Sequence, residues 1–309
     1  MSRGSRVTRV TGQLTDGSRG SRVKKCVSRC HLWLNLPHAL CSAAARVPEK
    51  ISVSDVDVLG VTSVDDELFV LLDRDYDQVV VYSVDDYRLL GHLSLPAVKK
   101  HHFGDVASCV RHRCLYMSDY TNSCTHRYDL ASGGMGRWSV PGKPRCLSVT
   151  PSGNLLVACQ LPHKLVELSA DSGQCVREMV LQSGIEYPWH AVQLTTGQYV
   201  VCHGLWGGLH RVCIVDDDGR VTHSYGDQPG CDVGQQLLGC SCHLAVDEDS
   251  RSIFVADQRN GRVVLLSTTL DFVRHVVDGL SGAQRLYIDH SSRRLYVAPY
   301  FGDVVVIQL

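Results

Sequence analysis

The chain has 309 residues, 44% of them hydrophobic and 20% charged, with a formal net charge of -1. That balance is globular and excludes a wholly disordered chain, which could not bury enough apolar surface to offset its ordering entropy. No run approaches the roughly 18 apolar residues of a membrane helix, so no membrane partner is expected.

The first 50 residues carry ten Lys and Arg against only Asp16 and Glu49, and the remainder carries 21 basic and 30 acidic side chains. Within that basic tail, Ser2-Arg3-Gly4-Ser5-Arg6-Val7 recurs as Ser18-Arg19-Gly20-Ser21-Arg22-Val23. A stretch so poor in packing side chains is expected to be disordered. His31-Leu32-Trp33-Leu34-Asn35-Leu36, ahead of Cys41-Ser42-Ala43-Ala44-Ala45, has the outline of a targeting leader, but Asn35 and Pro37 interrupt its apolar part. Cys26, Cys30, His31, His38 and Cys41 are zinc-type ligands, in a spacing that matches no common zinc module.

From Ile51 to Leu309 the sequence repeats. Six β-prone segments follow turns: Leu68-Phe69-Val70, Leu115-Tyr116-Met117, Leu155-Leu156-Val157, Tyr199-Val200-Val201, Ile253-Phe254-Val255 and Leu295-Tyr296-Val297. Their starts lie 47, 40, 44, 54 and 42 residues apart, a period that suits the four-stranded blade of a propeller. The longest gap contains a loop-like insertion between Asp227 and Gly239. The predicted fold is all-β: a six-bladed β-propeller over 51–309, preceded by a disordered basic tail or leader over 1–50.

Blade five shows the unit best, with strands at His243 to Val246, Ser252 to Ala256, Arg262 to Leu266 and Phe272 to Val276. Asn260-Gly261 and the Asp-rich segment between the first two strands supply the turn chemistry. The last unit ends after its third strand, at Val304-Val305-Val306-Ile307. Its outer strand is expected from Ile51-Ser52-Val53, which would close the ring and cover an open edge.

Val255-Ala256-Asp257-Gln258-Arg259-Asn260-Gly261-Arg262-Val263 resembles an NHL repeat, in which a strand ending in Ala-Asp precedes a loop with Asn and a following Arg-Val. Leu71-Leu72-Asp73 and Met117-Ser118-Asp119 keep the Asp, and Asn122 keeps the Asn; Cys159, His203 and Pro299 replace the Asp in blades three, four and six. The resemblance implies a recognition platform similar to the NHL domain of tripartite-motif ubiquitin ligases. No RING-type array, B-box or coiled coil precedes it here, so ligase activity is not carried over.

Turns joining second to third strands, together with inter-blade loops, form one face of such a ring. Here they carry Arg74, Tyr76, Tyr120, His163, Trp206, Arg259, Tyr300 and Phe301, joined by Trp189 and His190 of the Tyr187-Pro188-Trp189-His190 segment. Aromatic and Arg side chains dominate interface hot spots, so these ten form the candidate partner-binding set for an unidentified protein. The alternative is that the rings pack between blades.

Single-stranded RNA could stack on Tyr120, Trp206 or Tyr300, but Lys99, Lys100, Lys143 and Arg145 make only a short basic arc on an acidic body, which disfavours RNA and DNA. A metal-dependent hydrolase similar to the gluconolactonases would need a Glu in blade one, where Val58-Leu59-Gly60-Val61 stands. His190, His203 and His243 could ligate a metal, but no carboxylate set adjoins them in sequence. The Asp257 to Asn260 loop is read as turn chemistry rather than a calcium site. No catalytic residue, metal ligand or cofactor is therefore assigned. The 14 cysteines, scattered through predicted strands without a framework spacing, read as buried thiols of a cytoplasmic protein.

Overall fold

The computed structural model describes residues 48–53, 56–73, 78–93, 95, 103–205, 210–226, 238–300 and 302–309. The expectations for the tail, including its Cys and His cluster, lie outside these residues, as does most of the 227–239 insertion.

After a short first strand, β1 (Glu49–Ile51), the chain builds six four-stranded antiparallel sheets. Blade one is β2 (Val58–Val64), β3 (Glu67–Leu72), β4 (Gln78–Ser83) and β5 (Leu89–Leu93), and blade two is β6 (Phe103–Cys109), β7 (Cys114–Asp119), β8 (Cys124–Asp129) and β9 (Met135–Ser139). Blade three is β10 (Pro144–Val149), β11 (Leu155–Cys159), β12 (Lys164–Leu168) and β13 (Cys175–Val180), and blade four is β14 (Pro188–Gln193), β15 (Tyr199–Gly204), β16 (His210–Val215) and β17 (Val221–Gly226). Blade five is β18 (Ser241–Asp247), β19 (Ser252–Asp257), β20 (Arg262–Ser267) and β21 (Phe272–Val277). Blade six takes β22 (Ala283–Asp289), β23 (Arg294–Pro299) and β24 (Val304–Gln308) from the C-terminus and β1 as its outer strand. A single 3-10 turn at Gln258–Asn260 is the one helical element among the described residues, and no helix is long and apolar enough to cross a membrane.

The six segments singled out by the repeat all lie in second strands, and their side chains are almost wholly buried, including Phe69, Tyr116, Tyr199 and Tyr296. Second strands are sandwiched between neighbouring blades, so both pleat faces must be apolar; that continuous run is the signal the sequence displays. Each inner strand packs against the next, and β22 against β2, which completes the ring.

Closure differs from expectation by two residues. Glu49 pairs with Val306, Lys50 with Val305 and Ile51 with Val304. Ile51 is the inward residue of this strand, while Ser52 and Val53 lie past its end. Val53 still packs beside Tyr296 and Val304 in the same core cluster. Burying a large aliphatic side chain contributes roughly 1.5–3 kcal/mol, so Ile51 and Val53 do more for closure than three backbone pairings alone. A chain lacking residues 1–53 is expected to melt about 10 °C below one lacking 1–47; equal melting temperatures by circular dichroism would show that β1 does not hold the ring.

Candidate functional site

Every inner strand starts with a register shift against its second strand: between Val58 and Gly60, Phe103 and Val106, Pro144 and Leu147, Pro188 and His190, Ser241 and His243, and Ala283 and Arg285. A bulge re-aims the side chains that follow it. The equivalent positions just past these bulges are Gly60, Asp105, Cys146, His190, His243 and Arg285, one per blade, all buried. Blade one must contribute glycine: a Cβ on Gly60 would stand 2.6 Å from Val106 Cγ1 and 2.8 Å from the Val106 nitrogen.

Three of these side chains, Asp105, His190 and Arg285, bind the inner strands to one another. An inner strand is a sheet edge, and alternate residues turn unpaired N–H and C=O groups toward the ring centre, where they need partners. Arg285 of blade six donates to the Leu59 carbonyl of blade one at 2.6 Å and to the Gly104 carbonyl of blade two at 2.7 Å. Asp105 accepts the Leu147 N–H of blade three at 2.8 Å and lies 3.7 Å from the Arg285 guanidinium. His190 of blade four donates from Nε2 to the Leu147 carbonyl at 3.0 Å, and its Nδ1 accepts the Leu244 N–H of blade five at 3.2 Å. Because a carbonyl can only accept, these two bonds fix His190 as the neutral Nε2–H tautomer.

His243 stacks on His190, with ring centroids 3.7 Å apart and planes 15° from parallel. Its Nε2 lies 3.5 Å from Asp105 Oδ2, an ion-pair separation longer than a good hydrogen bond. Neither ring nitrogen of His243 has a hydrogen-bond partner among the described residues. Burial, then the neighbouring His243, pushes the His190 imidazole well below its ordinary value. Burial also works against the Asp105 carboxylate, but His243 and Arg285 outweigh it and hold the group below the usual range. The Cys146 thiol is pushed up to about 12 by burial and by Asp105, so without a bound metal ion it stays protonated and is no nucleophile.

Sequence reading missed Asp105, Cys146 and Arg285. It also grouped the histidines wrongly: His203 faces away from this ring, its Nε2 3.3 Å from Cys213 Sγ, and the missing carboxylate arrives from blade two. Trp189 and His190 require correction as interface residues. Both are buried, because the bulge turns this segment into the ring, where Trp189 Nε1 donates to the Gly204 carbonyl at 2.9 Å and the Arg145 guanidinium lies 4.9 Å from its ring centroid.

Arg74, Tyr76, Trp206 and Phe301 lie outside the described residues. Tyr120 is half-buried beneath Lys143, and the ring of half-buried His163 sits 4.9 Å from Tyr187. Arg259 and Tyr300 are exposed on the expected face, with Tyr300 hydrogen-bonded to Asp57. Two residues of the same turns were not anticipated, Leu161 at 49% and Leu205 at 45% exposure. Lone aliphatic residues in a turn carry no pattern by which sequence could mark them.

The Asp-Asn loops are turn structures in which side chains satisfy backbone and one another. Asp119 accepts from the backbone and side-chain nitrogens of Asn122 at 2.9 and 2.8 Å. Asp257 accepts from Asn260 Nδ2 at 2.9 Å, Arg262 Nε at 2.7 Å and the Gly239 N–H at 2.7 Å.

No family model matches the sequence, and no curated protein matches it. Solved structures do resemble the fold. Hydrazine synthase of Kuenenia stuttgartiensis aligns at 14% identity over 84% of this chain and 97% of that chain, with a TM-score of 0.61. A streptogramin B lyase aligns at 10% identity over 85% and 98%, with a TM-score of 0.60. The β-propeller domain of Cps50 (Swd1) from Myceliophteria thermophila aligns at 10% identity over 84% and 99%, with a TM-score of 0.53. At such identities the likeness is one of fold. The protein is a six-bladed β-propeller.

The ring predicts two stability effects. Arg285→Met keeps the bulk but leaves Asp105 without its guanidinium, and is expected to cost about 3–5 kcal/mol in urea unfolding, part of which the R285M/D105N double variant should recover. His203, pushed down to about 4 chiefly by burial, stays neutral in the native state while the unfolded chain takes up a proton below about 6.5. Its contribution is therefore fully present above pH 6.5 and declines as pH falls toward 4, approaching about 1.4 kcal/mol per pH unit. Urea melts between pH 7 and 4.5 should show a shallower decline for His203→Gln.

Proposed function

We propose that this propeller is a non-enzymatic interaction module of the NHL-like type, which presents the face formed by its second-to-third-strand turns to a protein partner. The observation that carries the reading is the set of large side chains standing out from these turns in successive blades: Leu161 at 49%, Leu205 at 45% and Tyr300 at 37% exposure, with Arg259 also exposed. Monomers tolerate single exposed apolar residues, but several on one face joined by Arg and Tyr have the composition of a recognition surface. The other large exposed hydrophobics occur mainly on outer strands spread around the rim, such as Leu89 and Leu90 of β5, Val176 and Val180 of β13, and Phe272 and Val273 of β21.

Two further observations favour a protein over RNA or a hard-cation hydrolase. In the described half of the basic arc, Lys143 donates to the Thr121 carbonyl at 3.1 Å and Arg145 covers Trp189, so both cations are engaged within the protein, and two charges are few for a phosphate backbone. Blade one supplies Gly60, rather than a carboxylate, to the inner ring, whereas divalent-cation hydrolysis of the gluconolactonase kind needs oxygen ligands there. Nine described cysteines are free thiols, eight of them buried, which supports a reducing, cytoplasmic setting.

Leu161→Ser, Leu205→Ser, Arg259→Ala and Tyr300→Ala are expected to leave the melting temperature within about 3 °C of wild type, since none belongs to the core. If the face is the interface, the quadruple variant should lose its cross-linked or co-purified protein partners, with at least one single change weakening binding by about 2 kcal/mol, or roughly thirtyfold. Unchanged binding in the quadruple variant, or retention that disappears with nuclease, would reject the proposal.

A further inference from the structure

We propose that Asp105, Cys146 and His243 form a binding site for one zinc-type transition-metal dication at the neck of the ring, held by inner strands of blades two, three and five. The inference is independent of the interface reading, because none of the three residues reaches the turn face.

The ligand set has the right chemistry. One candidate atom from each residue lies within 4.8 Å of the other two, and all three residues are buried. Zinc binds carboxylate, thiolate and imidazole at about 2.0–2.3 Å, which places tetrahedral ligand atoms about 3.3–3.8 Å apart. Asp105 Oδ2 and His243 Nε2 already stand 3.5 Å apart. Coordination displaces the Cys146 proton to solvent, and the resulting thiolate selects zinc and similar borderline metals over magnesium or calcium.

A second observation points the same way. His243 is 93% buried, yet neither ring nitrogen has a hydrogen-bond partner among the described residues. A buried imidazole whose one polar neighbour, Asp105 Oδ2, stands 3.5 Å away, beyond good hydrogen-bond length, carries a penalty, and a metal on Nε2 would relieve it. His190 is not a ligand, since both its nitrogens are used by Leu147 and Leu244. It is instead a neutral platform that sets the plane of the His243 ring by stacking.

The remaining neighbours fit a supporting shell. Oδ2 of Asp105 accepts the Leu147 N–H through one lone pair and has a second for the metal. Oδ1 faces Arg285, whose charge is also spread over the Leu59 and Gly104 carbonyls. Such outer contacts orient metal ligands and keep a carboxylate ionised. With three protein ligands, a fourth coordination position remains for a water molecule.

The other buried cluster of this kind, Asp119, Cys124 and His126, makes a useful control. There Asp119 already accepts from Asn122 twice and lies 3.2 Å from His126 Nε2, and Cys124 Sγ lies 3.5 Å from the same nitrogen. Its donors and acceptors satisfy one another and leave no orphaned group.

The test is a cobalt(II) titration of the full-length chain carrying C26S/C30S/C41S, which removes the tail thiols. One equivalent of cobalt is expected to give a thiolate-to-cobalt charge-transfer band and the intense d–d bands of four-coordinate cobalt, with stoichiometric displacement by zinc. Both bands should vanish in C146S, cobalt affinity should fall at least tenfold in H243Q and D105N, and C124S should be unaffected. A hundredfold excess of zinc over Kd should raise the melting temperature by roughly 5 °C. X-ray absorption of the zinc-loaded tail variant should show one sulfur and otherwise nitrogen and oxygen neighbours, a readout that does not depend on C146S folding. Absence of the charge-transfer band, its survival in folded H243Q with unchanged affinity, or a zinc shell with no sulfur or with several would overturn the proposal.

Discussion

The structure depends on how the inner edges of six sheets are satisfied. A propeller protects its outer edges by exposure to water and its faces by packing, but the inner strands converge where there is little room and where unpaired backbone groups are costly to bury. This chain meets that constraint with Asp105, His190 and Arg285, side chains placed at the bulges of blades two, four and six. Arg285 is the central member, because it binds blade six to blades one and two through carbonyls 226 and 181 residues away in sequence. Asp105 carries the link to blade three, and His190 ties blades three, four and five together.

The ring is made of unlike residues, and that has consequences. A fold built of repeats gains interface energy from each neighbouring pair, but a symmetric set of six polar groups at the neck would place like charges together. Alternating one cation, one anion, two imidazoles, a thiol and a glycine avoids this. Glycine is required in blade one by the approach of Val106, and a Cβ there would also press on Asp105 Oδ1 at 3.2 Å. Asp105, fully buried, remains ionised because Arg285 and His243 face it. Buried charges are weak evidence of stability by themselves; here they also join strands of blades one, two, three and six that lie far apart in sequence.

Much of the architecture was legible because it is repeated. Second strands are buried on both faces, so Leu68-Phe69-Val70 and its five counterparts show as continuous apolar runs, and their spacing counts the blades. Turn chemistry was legible where side chains serve their own loop, as with Asp257 and Asn260. The neck was not legible, for a physical reason: its members lie one to a blade, differ in chemistry, and owe their common orientation to bulges that leave no mark in composition. Tyr187-Pro188-Trp189-His190 shows the cost of that blindness. Its aromatic content reads as an exposed recognition loop, whereas the bulge between Pro188 and His190 turns Trp189 and His190 inward. The closing strand was displaced by two residues for a related reason, since Ile51 and Val53 are apolar whether they pair in a strand or pack beyond its end.

The neck and the turn face are linked through a few contacts, and these bear on how the two could act together. Trp189 precedes His190 and donates to the Gly204 carbonyl, next to exposed Leu205, while Arg145, next to Cys146, lies over the Trp189 ring. Gly239, which donates to Asp257, also accepts from the Arg259 N–H, so the connection into blade five, where His243 stands, supports the turn that presents Arg259. The inner strands thus position both sets of residues from the same bulged segments: one residue faces the axis and its neighbours brace the turns above. A metal at the neck would fix inner strands whose first residues also anchor these turns. In blades three, four and five, the packing at the axis and the shape of the face are therefore tied to the same inner segments.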